Sequence, residues 1–166
     1  MSHAEAALKL KEKLNGVDIA MLTTQTIDGH MASRPMWTSK VDDDGVLWFF
    51  TSDSSGKIKD IQRDSHVNLA YSNPGSNLFV SVSGRIELVE ERAKMEELWS
   101  PSMKAWFSDG LDTPDIGLLK VTADFAEYWD TTSSTMIHLY GVMKATLTGE
   151  DARGITNNEK MEIRGL

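Results

Sequence analysis

Two cations stand out among the side chains of this 166-residue sequence that can do chemistry: Arg34 in ASRPMWTSK (32–40) and Lys57 at the end of LWFFTSDSSGK (47–57). Hydroxyl groups crowd ahead of the lysine, at Thr51, Ser52, Ser54 and Ser55. A helix start leaves N–H groups unpaired and carries partial positive charge, so hydroxyls and an ammonium beside one make an anion site. A guanidinium on a neighbouring strand adds a forked donor. Other chemistries lack their residues. The histidines His3, His30, His66 and His138 have no metal-ligand spacing, and the absence of cysteine excludes thiolate sites and disulfides. The acidic run Asp42, Asp43, Asp44 lacks the distal Glu of a calcium loop. No Ser-His-Asp pattern or dinucleotide fingerprint appears.

These residues must be positioned by strands. Alternation places Ala32, Arg34, Met36 and Thr38 on one face of a strand, while 46–52 is apolar on both faces and belongs at the centre of a sheet. Ile58 and Ile61 bury one side of a short helix that fixes Lys57 at its start. Further strands are expected at 17–26, 66–73, 78–89 and 118–129. Asp28-Gly29 makes a hairpin, and Gly84 puts a bulge or bend in the fifth strand. Helices are expected at 4–14, with Ala7, Leu10 and Leu14 inward as a lid, at 90–99, and by spacing at 136–147. A loop with a helical turn, exposing Trp106 and Phe107, fills 100–116. The reading is a mainly β fold with inserted helices: a six-stranded closed or split barrel in one domain, 1–150, followed by a polar, poorly ordered tail, 151–166.

The net charge of −8 argues against nucleic acid or an anionic membrane as partner. No apolar run reaches the ~18 residues of a membrane span, and the N-terminus lacks a signal-peptide layout, so a cytoplasmic location is expected.

Several stretches, in order, resemble one family: MLTT (21–24), DGH (28–30), SRPMW (33–37), LWFFTSDSSGK (47–57), VSVSG (80–84) and AEYWD (126–130). The sequence resembles the FMN-binding split-barrel proteins related to pyridoxamine 5'-phosphate oxidase, and more closely their general stress protein 26 branch. The resemblance implies that Arg34 and Lys57 hold the FMN phosphate and that Met36 and Trp37 line the flavin ring. Phe50, Thr51, Ser52 and Ser55 match further cofactor contacts, with riboflavin or FAD as other forms of the ligand. Trp129 is implied to reach the flavin of a partner subunit, hence a homodimer with its sites at the interface. For Met36, Trp37, Phe50 and Trp129, plain core packing is the competing reading. Where the oxidase grips its substrate's phosphate and pyridine, this chain has Ser39, Thr135 and Ile137, so pyridoxine phosphate oxidation is not expected. The implied function is a flavin-dependent oxidoreductase of unknown substrate, with no catalytic residue singled out. The alternative is a non-catalytic flavin store, scavenger or sensor in a stress response.

Overall fold

The computed structural model of the chain describes residues 1–130 and 157–164. Ser2 opens the first helix, α1 (His3–Leu14), through a capping box with Glu5, which satisfies N–H groups that a helix start leaves unpaired. Ala6, Ala7, Leu10 and Leu14 lie on its buried face, the lid expected from their spacing.

The remaining elements are β1 (Ile19–Gln25), β2 (Met31–Val41), β3 (Val46–Ser52), α2 (Gly56–Arg63), β4 (His66–Asn73), β5 (Leu78–Val89), α3 (Arg92–Leu98), β6 (Ile116–Asp130) and β7 (Asn157–Glu162). The sheet runs β3-β2-β1-β4-β5-β6-β7 with every pairing antiparallel, and β3 also pairs with β6. That last pairing closes a six-stranded barrel, as expected. One edge of β6 serves β3 over Ile116–Thr122 and then β7 over Phe125–Asp130.

Gly84 is where the barrel bends. The β5–β6 register shifts between Ser83 and Gly84, and a Cβ on Gly84 would stand 2.2 Å from the Thr122 carbonyl oxygen. Only glycine allows that approach.

Leu22, Phe49, Leu69, Val82, Leu119 and Val121 fill the barrel, each fully buried. A second apolar cluster lies outside β3, where Val46, Trp48, Phe50 and Leu118 meet Met95 and Leu98 of α3. This is why β3 is apolar on both faces. The barrel interior covers one side and α3 the other.

The C-terminal reading needs correction. The stretch expected to be a loose tail contains β7, with Met161 and Ile163 buried in the barrel core. Its strand, NNEKME, is so polar that hydrophobic periodicity could not reveal it. The helix expected at 136–147, with Thr135 and Ile137, lies outside the described residues.

Candidate functional site: an open seam between two strands

Strands β2 and β3 are joined along only part of their length. They pair at Thr38↔Phe49, Lys40↔Trp48 and Val41↔Leu47, with Ser39 bulged out between the first two pairs. Beyond Thr38 the strands separate: β2 continues beside β1 to Met31, and β3 continues beside β6 to Ser52. Between the separated edges lies a cleft of about 410 Å³. Met36 and Trp37 line one side and Phe50, Thr51 and Ser52 the other. Neighbouring residues of a strand normally face opposite ways. Both Met36 and Trp37 reach the cleft because it opens along the edge of β2 rather than on one face.

The loop between α3 and β6 forms the outer wall. Its buried Met103 anchors a 3-10 turn that presents Trp106 and Phe107 to the cleft. Phe107 packs on Phe50 at 6.3 Å between ring centroids, and Trp106 meets Trp37 at 6.2 Å. The far end of the loop is tied down by Asp115, whose carboxylate accepts from the Ser52 hydroxyl and, at 2.7 Å, from the Ser54 hydroxyl. The backbone N–H of Asp53 donates to the Asp115 carbonyl at 2.7 Å. Ser52 and then Ser54 hold the Asp115 carboxyl below its ordinary range by hydrogen bonding to the charged form.

Lys57, in the first turn of α2, lines the cleft and donates to the Ser55 hydroxyl at 2.9 Å. Arg34, half-buried on the inner side of β2, donates to Thr24 Oγ1 at 2.7 Å, Thr24 being wholly buried on β1. The pKa of Lys57 is lowered by burial and then by the Arg34 charge, so the two cations lie close enough to repel. Neither forms a salt bridge among the described residues. Two uncompensated cations beside the N–H groups of a helix start can hold a phosphate dianion. The apolar seam next to them can take a planar ring.

Six of the residues singled out from the sequence therefore line one cleft: Met36, Trp37, Phe50, Thr51, Ser52 and Lys57. Arg34 and Ser55 join it through Lys57. Trp129 does not. It lies on β6 opposite Phe79, on the outer face of the barrel. Ser39 is also turned away, in a groove against the end of α1. Sequence reading missed Asp115, the only acid clasping the β3–α2 turn among the described residues, because TPD before a strand carries no signal of what it will meet.

The family described as pyridoxamine 5'-phosphate oxidase-like matches residues 5–153. The chain belongs to it. Protein bli-3 of Neurospora crassa is one similar protein, 27% identical over 98% of this chain and 84% of its own length. A structure from Jannaschia sp. CCS1, described as a general stress protein 26, matches 96% of this chain and 99% of its own with a TM-score of 0.74 and 27% identity. The general stress FMN/FAD binding protein of Xanthomonas citri is 33% identical, with a TM-score of 0.67, over 78% of this chain and 92% of its own. The match thus covers α1 from its third residue, the barrel strands β1 to β6 and every cleft-lining residue, and it ends before β7.

Proposed function

We propose that this chain is a flavin-binding protein of the general stress type, holding FMN with its phosphate between Arg34 and Lys57 and its ring in the open seam. The observation that carries this is the convergence, at the end of an aromatic cleft, of two cations with no salt bridge among the described residues. Each cation within ~4 Å of a phosphate charge contributes about 4 kcal/mol of gross attraction at an effective dielectric near 20. That offsets much of the desolvation of a dianion. Riboflavin lacks the phosphate and FAD shares it, so FMN and FAD are both compatible ligands while riboflavin is a weak one. Replacing Arg34 or Lys57 by Ala should weaken FMN by ~10- to 100-fold, the worth of a charged hydrogen bond. Riboflavin should change little. Equal losses for the two ligands would sink the phosphate assignment.

When bound, the flavin supplies redox chemistry that no side chain here can provide. The chain orients it, and Met36, Phe50 and Phe107 give the seam an apolar lining. We assign a flavin-dependent oxidoreductase whose substrate is not pyridoxine or pyridoxamine 5'-phosphate, since Ser39 is neither cationic nor in the cleft. Pyridoxal phosphate formation at a few turnovers per second would overturn that exclusion. Among the cleft-lining residues Lys57 alone bears a charge, so no acid–base pair is assembled, and this favours a flavin store as the second reading. Bleaching of bound flavin by NADH or NADPH, reversed by oxygen, separates the two.

The functional unit in this reading is a homodimer. On the outer face of the sheet, Met21, Ala70 and Ser81 stand in register across β1, β4 and β5, and Phe79 stands opposite Trp129. Ile19, Met21 and Phe79 are 53%, 41% and 46% exposed, an apolar surface suited to a second copy across a two-fold axis. A partner's Trp129 then reaches the neighbouring flavin. Mixing Arg34→Ala with Trp129→Ala subunits after dissociation should restore one site in each hybrid dimer, about half of the hybrid's binding, because its other site carries both lesions. A monomer with FMN bound, seen by sedimentation, would end this part of the proposal. No described helix is long and apolar enough to cross a membrane, and we propose a cytoplasmic location.

A further inference from the structure

The cleft has two chemically different ends. At one, Lys57 and Ser52 face the Arg34 side; at the other, the rings of Trp37 and Trp106 meet at 6.2 Å with 41° between their planes. Trp106 is 65% exposed and Trp37 39%. Neither indole N–H has a hydrogen-bond partner among the described residues.

An exposed tryptophan on a loose loop would mean little. This loop is not loose. Met103 is buried beneath it, and its carbonyl accepts from the N–H groups of Trp106 and Phe107 at 3.0 and 2.9 Å. Arg92 donates to the Leu111 carbonyl and bridges to Asp112, and Asp115 is clasped by Ser52 and Ser54. The wall is fixed at its base, middle and end, yet leaves its largest side chain uncovered beside a cleft. A rigid loop that presents an aromatic surface to a cavity is the arrangement of a binding wall.

We propose that the Trp37–Trp106 end of the cleft binds an uncharged planar ring bearing carbonyl oxygens, a second ligand that lies beside the flavin. The proposal rests on the flavin reading above and names the class of its substrate. Two indole faces offer stacking, and two N–H groups with no partner among the described residues offer donors, so the matching ligand is flat and carries acceptor oxygens. A phosphate there would find no cation among the residues lining that end, because Lys57 lies at the other end with Arg34, and an unpaired anion is expensive to desolvate.

The test uses the full-length protein loaded with FMN. Menadione, a neutral naphthoquinone, is titrated by calorimetry, with pyridoxine and pyridoxine 5'-phosphate as a neutral and a charged planar pair. Trp106→Leu removes the ring and Trp106→Phe keeps a ring while removing the N–H; an exposed position tolerates both. Menadione affinity is expected to fall at least ~10-fold in Trp106→Leu, with Trp106→Phe between it and the parent, as the loss of a stacking contact predicts. FMN affinity should move much less than menadione affinity. Pyridoxine should bind more tightly than its phosphate. Unchanged menadione binding in Trp106→Leu, or a preference for the phosphate, overturns the proposal. The FMN titration is read separately. A chain that takes no FMN defeats the flavin reading, while the same menadione loss in the flavin-free protein would keep the aromatic site.

Discussion

Strand β3 has two edges that meet opposite fates. Along one it pairs with β6 for its whole length, from Val46↔Thr122 to Ser52↔Ile116; along the other it pairs with β2 only as far as Phe49. The closed seam is zipped by apolar side chains on both faces. The open seam exposes Trp37 and gathers Met36, Phe50, Thr51, Ser52 and Lys57 around one cleft. If the open seam holds the ligand as proposed, stability and binding belong to opposite edges of one strand, and substitutions on the two sides should separate the two properties.

The largest effect is expected on the closed side. Phe49→Ala should lower unfolding stability by about 3–5 kcal/mol in urea, as a cavity in a filled barrel. The paired substitution Trp37→Ala should cost less than about 1.5 kcal/mol, because its ring is already partly in solvent. Similar losses for both would break the contrast. A smaller effect of opposite sign is expected from Lys57→Met. Removing a cation that burial and Arg34 both disfavour should leave the flavin-free chain as stable or slightly more so, while FMN affinity drops. Because the Lys57 pKa is lowered on folding, the parent's deficit against that variant should shrink as pH rises through the lowered value.

The smallest effect sharpens the role of the clasp. The Asp115 carboxyl is held below its unfolded value, so its contribution is complete above about pH 4 and is lost as pH falls through the lower folded pKa. The gap in Tm between the parent and Asp115→Asn should therefore be full near neutral pH and close under acid. A gap independent of pH would mean that the clasp depends on shape alone.

The strands were legible because alternation and the doubly apolar run at 46–52 are direct consequences of burial. Arg34 and Lys57 were singled out as a pair of cations from residue type, from their places on a strand and at a helix start, and from the family resemblance. What could not be read were contacts made by separated segments. The wholly buried Thr24 that steadies Arg34, the Asp115 clasp and the meeting of Trp37 with Trp106 each join residues distant in sequence. A single extra residue also escaped detection. The bulge at Ser39 shifts the register of β2 against β3, and nothing in TSK distinguishes a bulged serine from a paired one.

Strand β7 carries a practical lesson about where a domain ends. The family match stops at residue 153, yet Met161 and Ile163, at 1% and 2% exposed, lie in the barrel core, and Ile163 sits against Gly45. A protein cut at the family boundary would keep every cleft residue and still leave half of β6 as a bare, apolar edge. Such an edge recruits other chains. Shortened versions should therefore be judged by their solubility before their ligand binding, since aggregation would pass for a failed site.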